Sequence, residues 1–321
     1  MIELVVSALF TCAALPAVLL TLRLFNVVDV PSPRSSHATL VHRGGGLACV
    51  VGASCGLVEA QLRGETLHWI ALLPVLGIAL VGLADDFRTL AAVPRLAAQA
   101  AAGAAAGWLV GHQLLGMLTG MLVFLISVNV VNFMDGINGI SGLTLGVWGG
   151  TAVVVATVHH SPELLLIGAV TAGSALGFLP ANLPTARLFL GDVGSYLFGG
   201  LVGLGILTGV RDGVPLPVLV APLSVYLADT SHTLIRRARS HAALLSSHRE
   251  HTYQRLVSEA GLPHAGVAML TAGIAGLITM SWMPGISVLA IATTTILLAL
   301  YLCSASWTAR LRSAAPGRGR P

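Results

Sequence analysis

The stretch ALLPVLGIALVGLADDFRTL, residues 71–90, decides the class of fold. It carries no charged residue for 14 positions, and then two adjacent carboxylates, Asp85 and Asp86, followed by Arg88. An apolar run of about 20 residues has the length that crosses a hydrocarbon core of about 30 Å. Together with the apolar residues before it, this stretch predicts a membrane-spanning helix that ends in acidic residues.

Similar apolar runs recur along the whole chain. Of its 321 residues 55% are hydrophobic and only 9% are charged, whereas about a quarter of the residues of a soluble domain are charged. The first run has no basic segment before it, so we interpret it as a membrane anchor and not as a secretory signal. The expected fold is an all-α polytopic integral membrane protein. The eleven predicted transmembrane helices cover residues 3–22, 44–60, 67–84, 96–112, 114–131, 140–158, 163–181, 194–210, 214–230, 265–283 and 285–307.

The arginines predict the orientation. The sequence has no lysine, and all 17 basic residues are arginine. Short cytoplasmic loops retain positive charge, so we place the N-terminus outside and the C-terminus in the cytoplasm, which leaves only Arg63 and Arg211 on the outer side. The net charge of +4 is then explained by topology and anionic lipid, and no nucleic-acid partner is expected.

A single polytopic domain is expected over residues 1–307, followed by a basic cytoplasmic tail, 308–321, with the composition of a disordered segment. The four cysteines lie in apolar runs without paired spacing, which favours buried small hydrophobes over a metal site or disulfides. The absence of lysine excludes a Schiff base and a Walker-type phosphate loop. The polar chemistry falls in five loops on the cytoplasmic side, about 23–43, 85–95, 132–139, 182–193 and 231–264.

Loops one and two each combine charge with a backbone constraint. In loop one, prolines stop any helix and three glycines allow close backbone approach. In loop two, Asp85 and Asp86 diverge by about 100° on a helix, so they cannot point at one atom. Their place at a helix C-terminus is unfavourable, which suggests a compensating cation or a reaction, or alternatively side chains that reach into water. The donors of loop one are Arg34, His37, His42 and Arg43.

Loops three and four carry candidate ligand and ion contacts. NVVNFMDGINGISG, residues 129–142, places Asn129, Asn132, Asp135 and Asn138 three residues apart, and glycines at 136, 139 and 142 interrupt the segment. Exposed amides in such a segment bind phosphate, although a flexible connector is the alternative. Asp192 lies in a glycine turn that suits a hard cation such as Mg²⁺, or it caps a helix.

Loop five includes SSHREHTYQRL, residues 246–256. His248 and His251 share a helix face, but zinc would need further ligands. Together with Arg249 they are more plausible partners for phosphate oxygens. A surface amphipathic segment on anionic lipid is the alternative.

Five motifs in order resemble one family. They are DVPSPRSSH with RGGG, GLADDFRTL with RLAAQ, NFMDGINGISG, FLGDVGSYLFG and HREHTYQRL. Together they resemble the polyprenyl-phosphate N-acetylhexosamine-1-phosphate transferases, glycosyltransferase family 4, over nearly the whole chain. The segments SSH, RGGG and HREHTYQ most resemble those of the bacterial branch that initiates O-antigen with N-acetylfucosamine or N-acetylquinovosamine phosphate.

The resemblance implies a Mg²⁺-dependent enzyme of the bacterial cytoplasmic (inner) membrane, with its active site facing the cytoplasm. It would transfer a sugar 1-phosphate from a UDP-N-acetylated sugar to undecaprenyl phosphate, giving UMP, at the start of lipopolysaccharide or other cell-envelope synthesis. Mn²⁺ in place of Mg²⁺ and a homodimer stay open. A secondary transporter is the alternative, but it predicts mid-membrane charges and two related halves, which the sequence does not show.

The resemblance also implies roles for single residues. Asp85 and Asp86 would handle the lipid phosphate and catalysis, with Asp85 facing the lipid phosphate and Asp86 supporting the metal site. Asp192 and Asn132 would bind Mg²⁺ on the nucleotide diphosphate. Leu40 and His42 replace prolines expected before RGGG, so His37 is preferred to His42 as a contact. The predicted substrate-binding residues are His37, Arg43, Asp135, Asn138, Phe189, His248, Arg249 and His251, of which Phe189 and Asn138 would contact uracil.

Overall fold

The structure, a computed structural model, describes residues 1–29, 40–64, 69–111, 113–241 and 250–314. In these residues the chain forms α-helices and three very short strands, with 3-10 turns at Trp69–Leu72 and Ala221–Leu223. The helices are α1 Ile2–Leu24, α2 Gly46–Leu62, α3 Leu73–Phe87, α4 Ala92–Gly111, α5 Leu114–Met134, α6 Ile140–Val158, α7 Pro162–Asn182, α8 Gly191–Arg211, α9 Leu216–Val220, α10 Ser224–Arg239, α11 Thr252–Ser258, α12 His264–Trp282 and α13 Val288–Ala314. The strands are β1 Val28–Asp29, β2 Val41–Arg43 and β3 Leu188–Phe189.

Long apolar helices confirm the polytopic all-α fold. Within the described ranges, 9 helical segments are long and apolar enough to cross a membrane. Helices α2 and α4 occupy the two remaining predicted spans, so a helical segment coincides with every span expected from the sequence. The count of eleven crossings and the sides of the termini stay predictions. The nine segments are Ile2–Leu24, Ile70–Phe87, Leu114–Met134, Ile140–Val158, Pro162–Asn182, Gly191–Arg211, Leu216–Arg239, His264–Trp282 and Val288–Thr308.

Helix α8 lies at the centre of the bundle. It packs against α2, α3, α5 and α7, and nearly all of its residues are buried, whereas α1 and α13 are largely exposed. Two glycines permit the closest approaches to its first turn. A Cβ on Gly46 of α2 would overlap the backbone of Gly194, and one on Gly82 of α3 would overlap the carbonyl of Asp192. Helices α2 and α3 therefore bring loops one and two directly against the start of α8.

A small sheet joins loop one to loop four, an element that the all-helical prediction did not include. Strand β2 pairs antiparallel with β1 and parallel with β3, so that Arg43 lies opposite Phe189. The pairing continues past the strands, because the Gly45 N–H donates to the Phe189 carbonyl at 2.8 Å. The sheet thereby places Arg43 at the end of the bundle where α3 ends and α8 begins.

Both arginines that the topology prediction placed on the outer side are ion-paired. Each contacts two carboxylates at the end of the bundle opposite the sheet, so neither contributes an uncompensated positive charge there. Partial burial acts to raise the pKa of Asp212, but hydrogen bonds from Arg211 and from the Ser161 hydroxyl outweigh it and keep that pKa below its usual value. The pairs are Arg63 with Glu3 and Glu59, and Arg211 with Glu163 and Asp212.

Candidate active site

The aspartate pair at the end of α3 is buried, and its carboxylates face different partners. Asp85 is 2% exposed and Asp86 is 3% exposed. As expected for neighbours on a helix, each carboxylate has its own set of donors. The two sets explain how adjacent like charges are tolerated inside the protein, because buried charges require compensating charges and hydrogen bonds.

Asp85 is bound by groups from loop two, α4 and α8. Its Oδ1 accepts the N–H of Leu90 at 2.7 Å. Its Oδ2 accepts a hydrogen bond from Arg95 Nη1 at 3.0 Å and a longer one from the Tyr196 hydroxyl at 3.4 Å. The Arg95 side chain is 29% exposed. Asp85 is therefore a buried acceptor that orients a partly exposed cation.

Asp86 caps the start of α8. Its two carboxylate oxygens accept the N–H groups of Asp192 and Val193, each at 3.0 Å. First-turn N–H groups have no partner within their own helix, and the helix dipole favours a negative charge beside them. Arg43 adds a bond from Nη2 to the main-chain carbonyl of Asp86 at 2.8 Å, and its Nε lies 3.9 Å from the carboxylate. Asp86 thus connects loops one and two to α8.

Asn132 and Asp192 form a carboxylate–amide pair between α5 and α8. Asn132 Nδ2 donates to Asp192 Oδ1 at 2.5 Å and to the Ser195 hydroxyl at 3.0 Å. Gly191, with φ of +75°, turns the chain into α8. Among the described residues, no group of three or more His, Cys, Asp or Glu side chains could bind a metal ion. One carboxylate beside an amide nevertheless fits Mg²⁺, which retains waters and takes substrate phosphate oxygens as further ligands.

Asp135 follows α5 and lies near this pair. Its Oδ1 accepts the Ser141 hydroxyl at 2.6 Å. Burial raises the pKa of Asp135 to about 7; the Ser141 bond opposes that shift and the negative Asp192 adds to it. The side chain can therefore either donate or accept a hydrogen bond near neutral pH, as a polar ligand would require.

Asn182 joins the two segments that carry Asn138 and Phe189. Its Oδ1 accepts the N–H of Gly139 at 2.5 Å, and its Nδ2 donates to the carbonyl of Leu188 at 2.9 Å. These bonds place loop three beside loop four. The predicted uracil contacts Asn138 and Phe189 are therefore each adjacent in sequence to a residue that Asn182 binds.

His251 lies at the start of α11 and is 3% exposed. Its Nδ1 is 3.5 Å from the carboxylate of Asp229, and its ring stacks on Tyr253 with centroids 5.6 Å apart. The Tyr253 hydroxyl donates to the Phe133 carbonyl at 2.9 Å. In this geometry His251 packs inside the protein between Asp229 and Tyr253 at the start of α11. Its contact with substrate stays a prediction. Three predicted site residues, His37, His248 and Arg249, lie outside the described residues.

Direct contacts link Arg43, Asp86, Asp192 and Asn132 in one continuous network. Sequence reasoning missed several residues that position this network and the loops beside it. A signal was present for three of them, because Arg95, Tyr196 and Tyr253 lie inside the motifs RLAAQ, FLGDVGSYLFG and HREHTYQRL. The missed residues are Arg95, Asn182, Tyr196, Asp229 and Tyr253.

A family comparison matches the part of the chain that contains Asp85, Asp86, Asn132 and Asp192. The family described as "Glycosyl transferase family 4" matches residues 68–210. The "Decaprenyl-phosphate N-acetylglucosaminephosphotransferase" of Mycolicibacterium smegmatis is 29% identical over 293 residues, which cover 77% of this chain and 72% of that protein. The "Probable undecaprenyl-phosphate N-acetylglucosaminyl 1-phosphate transferase" of Bacillus subtilis is 28% identical over 257 residues, 74% and 72% of the two chains. A "Phospho-N-acetylmuramoyl-pentapeptide-transferase" of Acetivibrio thermocellus is 40% identical over 117 residues, 36% and 34% of the two chains.

Proposed function

Because the chain belongs to glycosyl transferase family 4, the polyprenyl-phosphate N-acetylhexosamine-1-phosphate transferases, we propose that it transfers a sugar 1-phosphate from a UDP-sugar to undecaprenyl phosphate. The products are a lipid-diphospho-sugar and UMP. The observation that carries this proposal is the network in which Asp86 caps α8 through the N–H groups of Asp192 and Val193, while Asn132 binds Asp192. Polar side chains at loops two, three and four thereby meet at one end of the bundle.

The proposed reaction is a phosphoryl transfer. An oxygen of the lipid phosphate attacks the β-phosphorus of the UDP-sugar, the bond between that phosphorus and the bridging oxygen breaks, and UMP leaves with the bridging oxygen. Such a transfer depends on positioning and charge neutralisation more than on covalent catalysis. The buried, hydrogen-bonded network around Asp192 suits positioning, because each of its members is fixed by at least one neighbour.

Asp192 and Asn132 are the proposed protein ligands of Mg²⁺, and Mn²⁺ could replace it. When bound, the ion would neutralise charge that develops on the departing UMP. Asp86 keeps the first turn of α8 in place through the N–H groups of Asp192 and Val193. Asn132 orients the carboxylate of Asp192 through a hydrogen bond to its Oδ1. These residues therefore prepare the geometry of the site before substrate binds.

The lipid phosphate is assigned to the aspartate pair and the arginines beside it. A phosphate monoester is largely ionised near neutral pH, so it needs a positive partner more than a base. Asp85 would have to release Arg95 to act as a base, whereas Arg95 and Arg43 are each about one third exposed. We favour a single displacement over a phospho-aspartate, because both carboxylates are already engaged by donors.

The donor class follows from relatives and motifs together. Two relatives that align with about three quarters of this chain are named for N-acetylglucosamine phosphate. The residues of the motifs SSH, RGGG and HREHTYQ instead favour the O-antigen branch and its 6-deoxy sugars. We propose a UDP-N-acetylhexosamine or its 6-deoxy relative as donor, and a site on the cytoplasmic face of the bacterial inner membrane.

A UMP-release assay tests this function. Purified protein is incubated with undecaprenyl phosphate, Mg²⁺ and, in turn, UDP-N-acetylglucosamine, UDP-N-acetylquinovosamine or UDP-N-acetylfucosamine. We expect UMP release with at least one donor, loss of release after chelation of Mg²⁺, and background activity for Asp192→Ala.

The matched control is Asp212→Asn, which removes an ion-paired carboxylate at the opposite end of the bundle. This variant should retain activity. The proposal fails if the wild-type protein releases no UMP with any UDP-N-acetylhexosamine.

A further inference from the structure

Asp229 of α10 is a fully buried carboxylate outside the network just described. It is 0% exposed. Its oxygens accept the N–H groups of Thr252 at 2.8 Å and Tyr253 at 3.2 Å, which belong to the first turn of α11. The hydroxyl of Tyr301, from α13, donates to it at 2.9 Å. Asp229 therefore caps α11 from another helix, and α13 supports it from behind.

The same face of α10 binds the chain just before α11. Positions 229, 233, 236 and 237 lie within an arc of about 100° on a helix, because the last three follow 229 by four, seven and eight residues. Arg237 Nη1 donates to the Glu250 carboxylate at 2.6 Å, and Arg236 Nη2 donates to the Glu250 carbonyl at 2.7 Å. Helix α10 thus binds two neighbouring places in the chain, Glu250 and the first turn of α11.

From α11 the contacts continue to loop three. The Tyr253 hydroxyl donates to the Phe133 carbonyl at 2.9 Å. The same hydroxyl occupies the space that a side chain on Gly136 would need. Since Gly136 directly follows Asp135, the position of α11 constrains the loop that carries the predicted nucleotide-sugar contacts.

We propose that Asp229 is a positioning residue that fixes α11 against loop three, so that the packing of α11 determines where loop three presents its predicted UDP-sugar contacts. The inference rests on the proposed function. The proposed role concerns the nucleotide-sugar contacts and not the lipid phosphate. Among the contacts of the described residues, Asp85 and Arg95 have no hydrogen bond to α11. Loss of the Asp229 charge should therefore weaken binding of the nucleotide sugar without weakening that of the lipid phosphate.

The test compares full-length purified Asp229→Asn with wild type. We expect the KM for the UDP-sugar to rise about tenfold, because hydrogen bonds to a charged acceptor are lost, and the KM for undecaprenyl phosphate to stay unchanged. Hydrogen–deuterium exchange should become faster in peptides covering 133–139 and 250–258 and stay unchanged in peptides from α1 and α2. Tyr253→Phe, which removes only the bond to Phe133, should change both readouts in the same direction and less.

Asp212→Asn is again the matched control and should change neither readout. An unchanged KM for the UDP-sugar in Asp229→Asn overturns the inference. So does an equal rise of both KM values, or faster exchange along the whole chain, since either indicates general destabilisation. If wild-type protein releases no UMP, the proposed function fails, whereas the exchange measurement still decides whether Asp229 positions α11.

Discussion

At the level of residues, Asp85 and Asp86 are neighbours in sequence, but their carboxylates accept hydrogen bonds from different donors. Asp85 binds Arg95, and Asp86 binds the amides that begin α8. Both carboxylates are buried, so neither is free to act without its partners. A carboxylate that only filled space would tolerate replacement by an amide, whereas one that orients a cation or caps a helix would not.

The two asparagine variants should therefore differ. Asp85→Asn is expected to raise the KM for undecaprenyl phosphate by about tenfold, because the charge that orients Arg95 is lost. Steady-state kinetics with varied lipid measure this effect. An unchanged KM for the lipid in an Asp85→Asn protein that folds normally would contradict the assigned contact.

Asp86→Asn is expected to raise the Mg²⁺ concentration needed for half-maximal activity. An amide cannot accept both N–H groups at the start of α8 as the carboxylate does, so Asp192 loses part of its support. The measurement is a Mg²⁺ titration of UMP release. If Asp85→Asn changes the Mg²⁺ requirement and Asp86→Asn changes the lipid KM, the division of roles is reversed.

At the level of elements, glycines determine how closely α2 and α3 approach α8. Gly82 lies where a Cβ would overlap the carbonyl of Asp192, whereas around Gly77 of the same helix no atom lies within 4 Å of an added Cβ. The two positions thus form an internal comparison within α3. The difference arises because only one of them faces the neighbouring helix.

Gly82→Ala should destabilise the protein by about 1–3 kcal/mol, the usual cost of forcing an extra carbon into a packed interface. Activity should also fall, because the displaced backbone carries Asp192. Thermal unfolding in detergent measures the first effect and UMP release the second. Gly77→Ala should match wild type in both assays, and equal behaviour of the two variants would refute the packing argument.

At the level of the whole molecule, the predicted site lies at one end of the bundle and the paired outer arginines lie at the other. Since each of these two arginines is bound to acids, they add little net positive charge to the end opposite the site. This distribution is consistent with a site that faces the cytoplasm.

Cysteine labelling tests the orientation. In a background lacking the four native cysteines, Gln113→Cys marks the end opposite the site, and Ser258→Cys marks α11. A membrane-impermeant maleimide should label Gln113→Cys in intact cells and Ser258→Cys only after permeabilisation. The reverse pattern would place the active site outside the cytoplasm.

The sequence by itself determined the polytopic helical fold and the order of the polar loops. Apolar run length and charge placement are local properties, so each predicted span coincides with a helical segment. Asp85, Asp86, Asn132 and Asp192 were singled out as candidates in the same way, since each stands out against an apolar background.

Only the tertiary structure decided which groups meet. The pairing of β2 with β3, the capping of α8 by Asp86 and the capping of α11 by Asp229 join segments far apart in the chain. Such contacts depend on how helices pack, and no local pattern encodes them. The physical reason is that a buried charge requires donors from whatever element lies next to it, and that neighbour is known only once the chain has folded.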